Sequence, residues 1–115
     1  MKKERDFVVY LQDMLEAITK GISFVKGYDF HEFSKDDKTQ YSVVRAIEII
    51  GEASKKIPKI IKDKNLEIPW REIGGMRDKM IHDYFGVDLQ VVWKTVRKDF
   101  PALKKQIAAL LKIYS

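Results

Sequence analysis

The chain has 115 residues, 45% of them hydrophobic and 34% charged, with a formal net charge of +5. Domains most often run about 100–150 residues, so one domain with one hydrophobic core is expected over residues 1–115. There is no cysteine, which excludes a disulfide framework and a thiolate metal site and fits a reducing, cytoplasmic setting.

The first segment predicts a long amphipathic helix. Phe7, Leu11, Met14, Ile18, Ile22 and Val25 recur at steps of three and four and build one apolar stripe. Gly21 sits inside it and Gly27 is a plausible end. The basic start "MKKERDFVVYLQDML" is soon interrupted by Gln12, Asp13 and Glu16, so it lacks the apolar run of a signal peptide. No apolar run approaches the ~18 residues of a membrane span. "YDFHEFSKDD" reads as a connection, with Ser34 as candidate N-cap of the next helix and Asp37 as its acidic first-turn residue.

The second helix is expected from about Asp36 to Ile57, with Val43, Ile47, Ile50 and Ile57 on its buried stripe and Pro58 ending or kinking it. Gly51 costs about 1 kcal/mol relative to alanine in mid-helix, which points to a close helix–helix approach there. "PKIIKDKN" suits one further short turn, and "LEIPW" is expected to be extended before Pro69. A helix of modest length follows in "REIGGMRDKMIHDYFG", entered through Gly74–Gly75 and closed near Gly86. Asp88 then caps a helix carrying Leu89, Val92, Trp93, Val96 and Phe100, and Pro101 opens the last one. Strand-like alternation is absent. The pattern predicts an all-α bundle of four or five helices.

Basic residues cluster twice: five lysines lie between Lys55 and Lys64, and five cations between Lys94 and Lys105. Such clusters are commonly solvated helix faces. They could also hold a polyanion, or a nucleotide in the case of Lys55 to Lys64.

The chemistry concentrates in "GGMRDKMIHDYFGVD", which holds Arg77, Asp78, His82 and Tyr84, His82 being one of two histidines in the chain. On an ideal helix Arg77 and Tyr84 lie about 20° apart in projection, whereas Arg77 and His82 are about 140° apart. The two could converge through the arginine stem, through an irregular backbone between the glycines, or through a second copy of the chain. Imidazole can take and return a proton near neutral pH. A guanidinium fork matches phosphate oxygens and stabilises the charge of a phosphoryl transition state. Together they suit attack of an RNA 2′-hydroxyl on its own phosphate, a reaction that needs no external metal ion. Asp78 stands one turn before His82 and could orient the ring or raise its pKa. The same residues on an exposed turn commonly form only a surface ion cluster. His31 has no partner in the motif and reads as a surface residue. Glu48 and Glu52 could be a metal-type carboxylate pair, but without a His-x-x-Glu companion they read as solvated or paired with Arg45 and Lys55.

The blocks "Y-x-V-x-R-A-I-E-I-I-G-E-A-x-K" (Tyr41 to Lys55) and "I-P-W-R-E-I-x-G-M-R-D-K-x-I-H-x-Y-F-G-V-D-x-x-x-V-W" (Ile68 to Trp93) resemble the HepT-like branch of the HEPN superfamily. Their order and spacing carry the resemblance, which covers roughly Tyr41 to Ile107. It implies a HEPN-type helical bundle that forms a homodimer, with the Arg-x-x-x-x-His-x-Tyr motif in a cleft at the dimer interface. On this chain the motif falls on Arg77, His82 and Tyr84, with Asp78 at the polar position after the arginine. The resemblance further implies a metal-independent ribonuclease toxin, without cofactor. Its partner would be an MntA-like nucleotidyltransferase antitoxin that silences it by adenylylating Tyr84. An alternative is a non-catalytic helical subunit that binds a nucleotidyltransferase, with Trp70, Phe85 and Trp93 as possible anchors.

Overall fold

Apolar residues at helical spacing drive the first element. A computed structural model describes residues 2–80 and 86–115, with side chains from Phe7 onward. Helix α1 spans Lys2–Phe24 and buries Phe7, Leu11, Met14 and Ile18 as the spacing predicts. Ile22 is only partly buried, because the stripe swings onto Gly21. Gly27 follows the helix end with φ +80°, a left-handed conformation that side chains with a Cβ resist.

The expected connection contains a helix of its own, α2 (Phe30–Ser34). Asp29 and Glu32 form a reciprocal capping box: the Glu32 N–H donates to Asp29 Oδ1 at 2.8 Å and the Asp29 N–H to Glu32 Oε1 at 3.1 Å. This short helix exists to bury Phe33, which lies against Trp93 with ring centroids 5.2 Å apart. Ser34 is therefore not the N-cap of the next helix; its hydroxyl donates back to the His31 carbonyl at 2.7 Å.

Asp36 takes that role at the start of α3 (Asp37–Lys55). Its carboxylate accepts from the Tyr28 hydroxyl at 2.6 Å, the Thr39 N–H at 3.1 Å and the Thr39 hydroxyl at 2.8 Å. These bonds favour the ionised form, the Tyr28 hydroxyl most of all, and lower the carboxyl pKa to about 2. A depressed carboxyl pKa stabilises the fold above the unfolded value of about 3.9 and stops doing so as pH falls through the folded one. Asp36→Ala should thus lower the melting temperature by a few degrees at neutral pH. In melts recorded at successive pH values, that difference from the parent should shrink between about pH 4 and pH 2. A gap independent of pH would show that the carboxylate is not the cap.

Helix α3 buries Val43, Ala46, Ile47 and Ile50 and is the hub of the molecule, packing against α1 on one side and the later short helices on the other. After Pro58 comes α4 (Lys59–Asp63). The "LEIPW" stretch is not simply extended: a turn closed by the Ile68 N–H on the Asn65 carbonyl at 3.1 Å precedes Pro69. The turn also receives the Trp70 indole N–H on the Asn65 carbonyl at 3.0 Å. Two short helices follow, α5 (Trp70–Gly74) and α6 (Met76–Met80), separated at Gly75.

Asp88 caps α7 (Leu89–Lys94) as expected, accepting from the Gln90 and Val91 N–H groups. The chain then widens into a π-helical turn at Thr95–Asp99 and continues as α8 (Phe100–Tyr114). The wide turn lies immediately before Pro101, which has no N–H for the helical ladder and whose ring crowds the carbonyl of Arg97. Among the described residues there are thus more helical segments than the four or five expected, the additional ones being short. The all-α class holds, and no described helix is long and apolar enough to cross a membrane.

Candidate active site

Helix α6 has a plain two-sided logic. Met76 and Met80, one turn apart, face the core, Met80 being almost fully buried. Arg77, Asp78 and Lys79 between them are exposed. The double glycine does not open this helix from its first residue, as expected from the sequence. Instead Gly74 ends α5 and Gly75 caps it, donating to the Arg71 and Ile73 carbonyls, so α6 starts afresh and sets Arg77 beside α3.

There Arg77 Nε lies 3.6 Å from Glu48 Oε2, and Arg45 Nη1 lies 3.6 Å from Glu48 Oε1. Each carboxylate oxygen faces one guanidinium. The side chains of Arg45 and Arg77 remain 69% and 53% exposed, against 31% for Glu48. Two cations sharing one anion leave about one positive charge at the surface, on groups still free to meet a phosphate. Glu48 is paired with Arg45 as its helical spacing suggested. Its second contact, to Arg77, joins residues far apart in sequence and has no local signal.

The Asp88 N–H donates to the Met80 carbonyl at 2.7 Å and ties the start of α7 to the end of α6. Gly86 has φ +98°, again a conformation that suits glycine. His82 and Tyr84, with Phe85, lie outside the described residues. Asp78, the next residue on α6, is exposed as well.

The other sequence candidates resolve as packing or solvated surface. His31 is exposed on α2. Trp70 is buried, and Trp93 packs against Phe30 and Phe33 with Arg97 over its ring at 5.1 Å. Trp70 is therefore spent inside the fold, and Trp93, partly buried, is engaged in aromatic packing. The lysines from Lys55 to Lys64 scatter: Lys59 pairs with Asp63 at 2.8 Å, and Lys62 lies over the Trp70 ring at 5.8 Å. Partial burial lowers the Lys62 pKa. Glu52 is exposed, and among the described residues no three His, Asp or Glu side chains are grouped to hold a metal ion. A separate cavity of about 410 Å³ lies across α6 from Arg77, floored by Ile73, Met76 and Leu103 and edged by both Lys98 and Asp99.

Comparison with known proteins sharpens this picture. Residues 14–110 match the family described as "Ribonuclease HepT-like". The chain is 53% identical over 103 residues to "Probable ribonuclease HepT" of Thermococcus cleftensis, covering 90% of this chain and 94% of the relative. It is 45% identical over 109 residues to "Putative RNase MJ1216" of Methanocaldococcus jannaschii, covering 95% and 90% respectively. It is also 45% identical over 103 residues to "Putative RNase TTE0752" of Caldanaerobacter subterraneus subsp. tengcongensis, covering 90% and 92%. No solved structure matches the chain. A match across most of the sequence, joined to an all-α fold that displays Arg77 on its surface, makes the chain a member of the HepT-like ribonuclease family.

Proposed function

We propose that this protein is a metal-independent endoribonuclease and the toxin of a toxin–antitoxin pair. The observation that carries this reading is an exposed Arg77, oriented by Glu48, in a chain of the HepT-like ribonuclease family. In the reaction, Arg77 holds the scissile phosphate through its fork. His82 takes the proton from the adjacent 2′-hydroxyl, whose oxygen attacks phosphorus, and returns it to the departing 5′-oxygen. Asp78 orients or polarises the imidazole. The products are a 2′,3′-cyclic phosphate and a 5′-hydroxyl.

Residues 1–115 act as one HEPN domain and pair as a homodimer, the seam bringing Arg77 and His82 from two copies into one cleft. An MntA-like nucleotidyltransferase is the antitoxin. Adenylylation of Tyr84 would place a bulky anionic phosphodiester in the cleft, where it excludes RNA and pairs with Arg77 by the guanidinium–phosphate match that serves substrate. Purified protein incubated with RNA in EDTA should cut it, and His82→Ala should not. Equal cutting by the variant would assign the activity to a contaminating nuclease and end the proposal. Toxicity on expression alone, relieved by a neighbouring nucleotidyltransferase, tests the pairing separately.

A further inference from the structure

The α1–α3 surface next to Arg77 combines exposed aromatic rings with cations. Tyr41 is 77% exposed and Phe24 38% exposed, on two helices that face each other. Between them runs a groove of about 420 Å³, floored by Ala46 and Ile49 and walled by Lys20 and Arg45. Its lining contains two cations and no carboxylate, although Lys20 has Glu16 one turn away at 3.7 Å. Arg45 is the link: it lines this groove and shares Glu48 with Arg77.

We propose that Arg45 is a second phosphate-holding side chain of the site, and that this groove seats the nucleotide flanking the phosphate at Arg77. The inference rests on the ribonuclease reading and extends it to how the strand lies. Glu48 spaces the two guanidiniums by giving one oxygen to each, so a strand that meets Arg77 meets Arg45 at the next step. Exposed aromatic rings beside cations are what single-stranded nucleic acid uses, since every base has a face to stack and every linkage a charge to neutralise. The small side chain of Ala46 keeps the floor open to a flat base. Farther along the same helix pair, Asp13, Glu16 and Glu52 line the next depression and offset the charge of Lys20, Arg45 and Lys56 there. The uncompensated cationic lining is therefore confined to the groove at Arg45. Glu48 touches no substrate here; it is a positioning residue for both arginines.

The test uses an uncleavable single-stranded 2′-O-methyl RNA, with binding read by fluorescence anisotropy across a salt series. Sedimentation on the same samples gives the assembly state. Arg45→Ala should weaken binding about tenfold and flatten the salt dependence by about 0.7, the loss of one phosphate contact. Tyr41→Ala should weaken binding about 5- to 150-fold with the slope kept, the signature of lost stacking. Glu48→Gln should bind at least as tightly as the parent yet cleave more slowly in single turnover, a split that a simple folding defect would not give. Lys112→Ala, on the exposed face of α8, should match the parent.

Binding by Arg45→Ala and Tyr41→Ala within twofold of the parent, at unchanged slope, would overturn the proposal. Loss of binding only in step with loss of assembly would overturn it too, and would mark the groove as a contact with a second copy. Failure of the ribonuclease reading looks different: His82→Ala then cuts RNA like the parent, whatever the uncleavable oligonucleotide does.

Discussion

Arg77→Ala should lower single-turnover RNA cleavage by about 10²–10³-fold, the usual consequence of removing one positioned charge donor from a developing oxyanion. The loss should come without unfolding. Arg77 lies on the exposed face of α6, 53% of its side chain is open to solvent, and its only ion pair among the described residues spans 3.6 Å to Glu48. Exposed pairs of that kind contribute about 0–1 kcal/mol to stability, so the melting curve should hardly move. Arg77→Lys separates charge from shape. It keeps the cation and loses the fork that meets two phosphate oxygens at once, so it should recover only part of the rate. The neighbouring Met80→Ala is the useful opposite case. Met80 is 1% exposed, and its truncation should cost roughly 2–5 kcal/mol of stability. Comparing the two variants by rate and by thermal melting distinguishes a chemical role from a packing one on a single short helix. An Arg77→Ala protein that cuts RNA at the parent rate would remove the guanidinium from the mechanism.

What could be read from the sequence follows the range of the forces involved. The buried stripes of α1 and α3, Ile22 apart, and the Asp88 cap depend on neighbours within one or two turns and appear where the spacing put them. Pro101 falls in the first turn of α8, which starts at Phe100 and continues from the wide turn instead of opening at the proline. The short α2 was concealed by a polar composition. Its signal was present all the same, as Asp29 and Glu32 three residues apart with Phe33 beside them. At the site, Arg77 and Asp78 were legible as surface chemistry because a Met–Met stripe sends the intervening residues outward. The Arg77–Glu48 contact was not, since only the docking of α6 on α3 creates it. Helical periodicity can show that Glu48 shares a face with Tyr41 and Arg45. It cannot show what that face meets.

The glycines lead to the second large effect. Mid-helix Gly51 does lie against a neighbouring helix, as expected: a Cβ built there would meet the Ile73 carbonyl of α5 at 3.6 Å, ordinary contact that leaves room for a methyl. The tight position is Gly21, where a Cβ would sit 2.5 Å from a ring carbon of Phe100. That ring is fully buried at the start of α8, so it has little room to yield. Gly21→Ala gains about 1 kcal/mol of helix propensity and loses about 1–3 kcal/mol to overpacking, a net loss. Gly51→Ala should gain most of its roughly 1 kcal/mol, because its Cβ would meet the Ile73 carbonyl only at ordinary contact distance. Phe100→Ala alone should cost about 3–5 kcal/mol. In that background the obstacle is gone, and Gly21→Ala should turn from destabilising to stabilising. The reversal, read as a double-mutant cycle in urea, isolates the contact from each residue's separate contribution. If the two substitutions simply add, α1 and α8 do not meet through Gly21 and Phe100. The seating of the last helix on the first would then need another explanation.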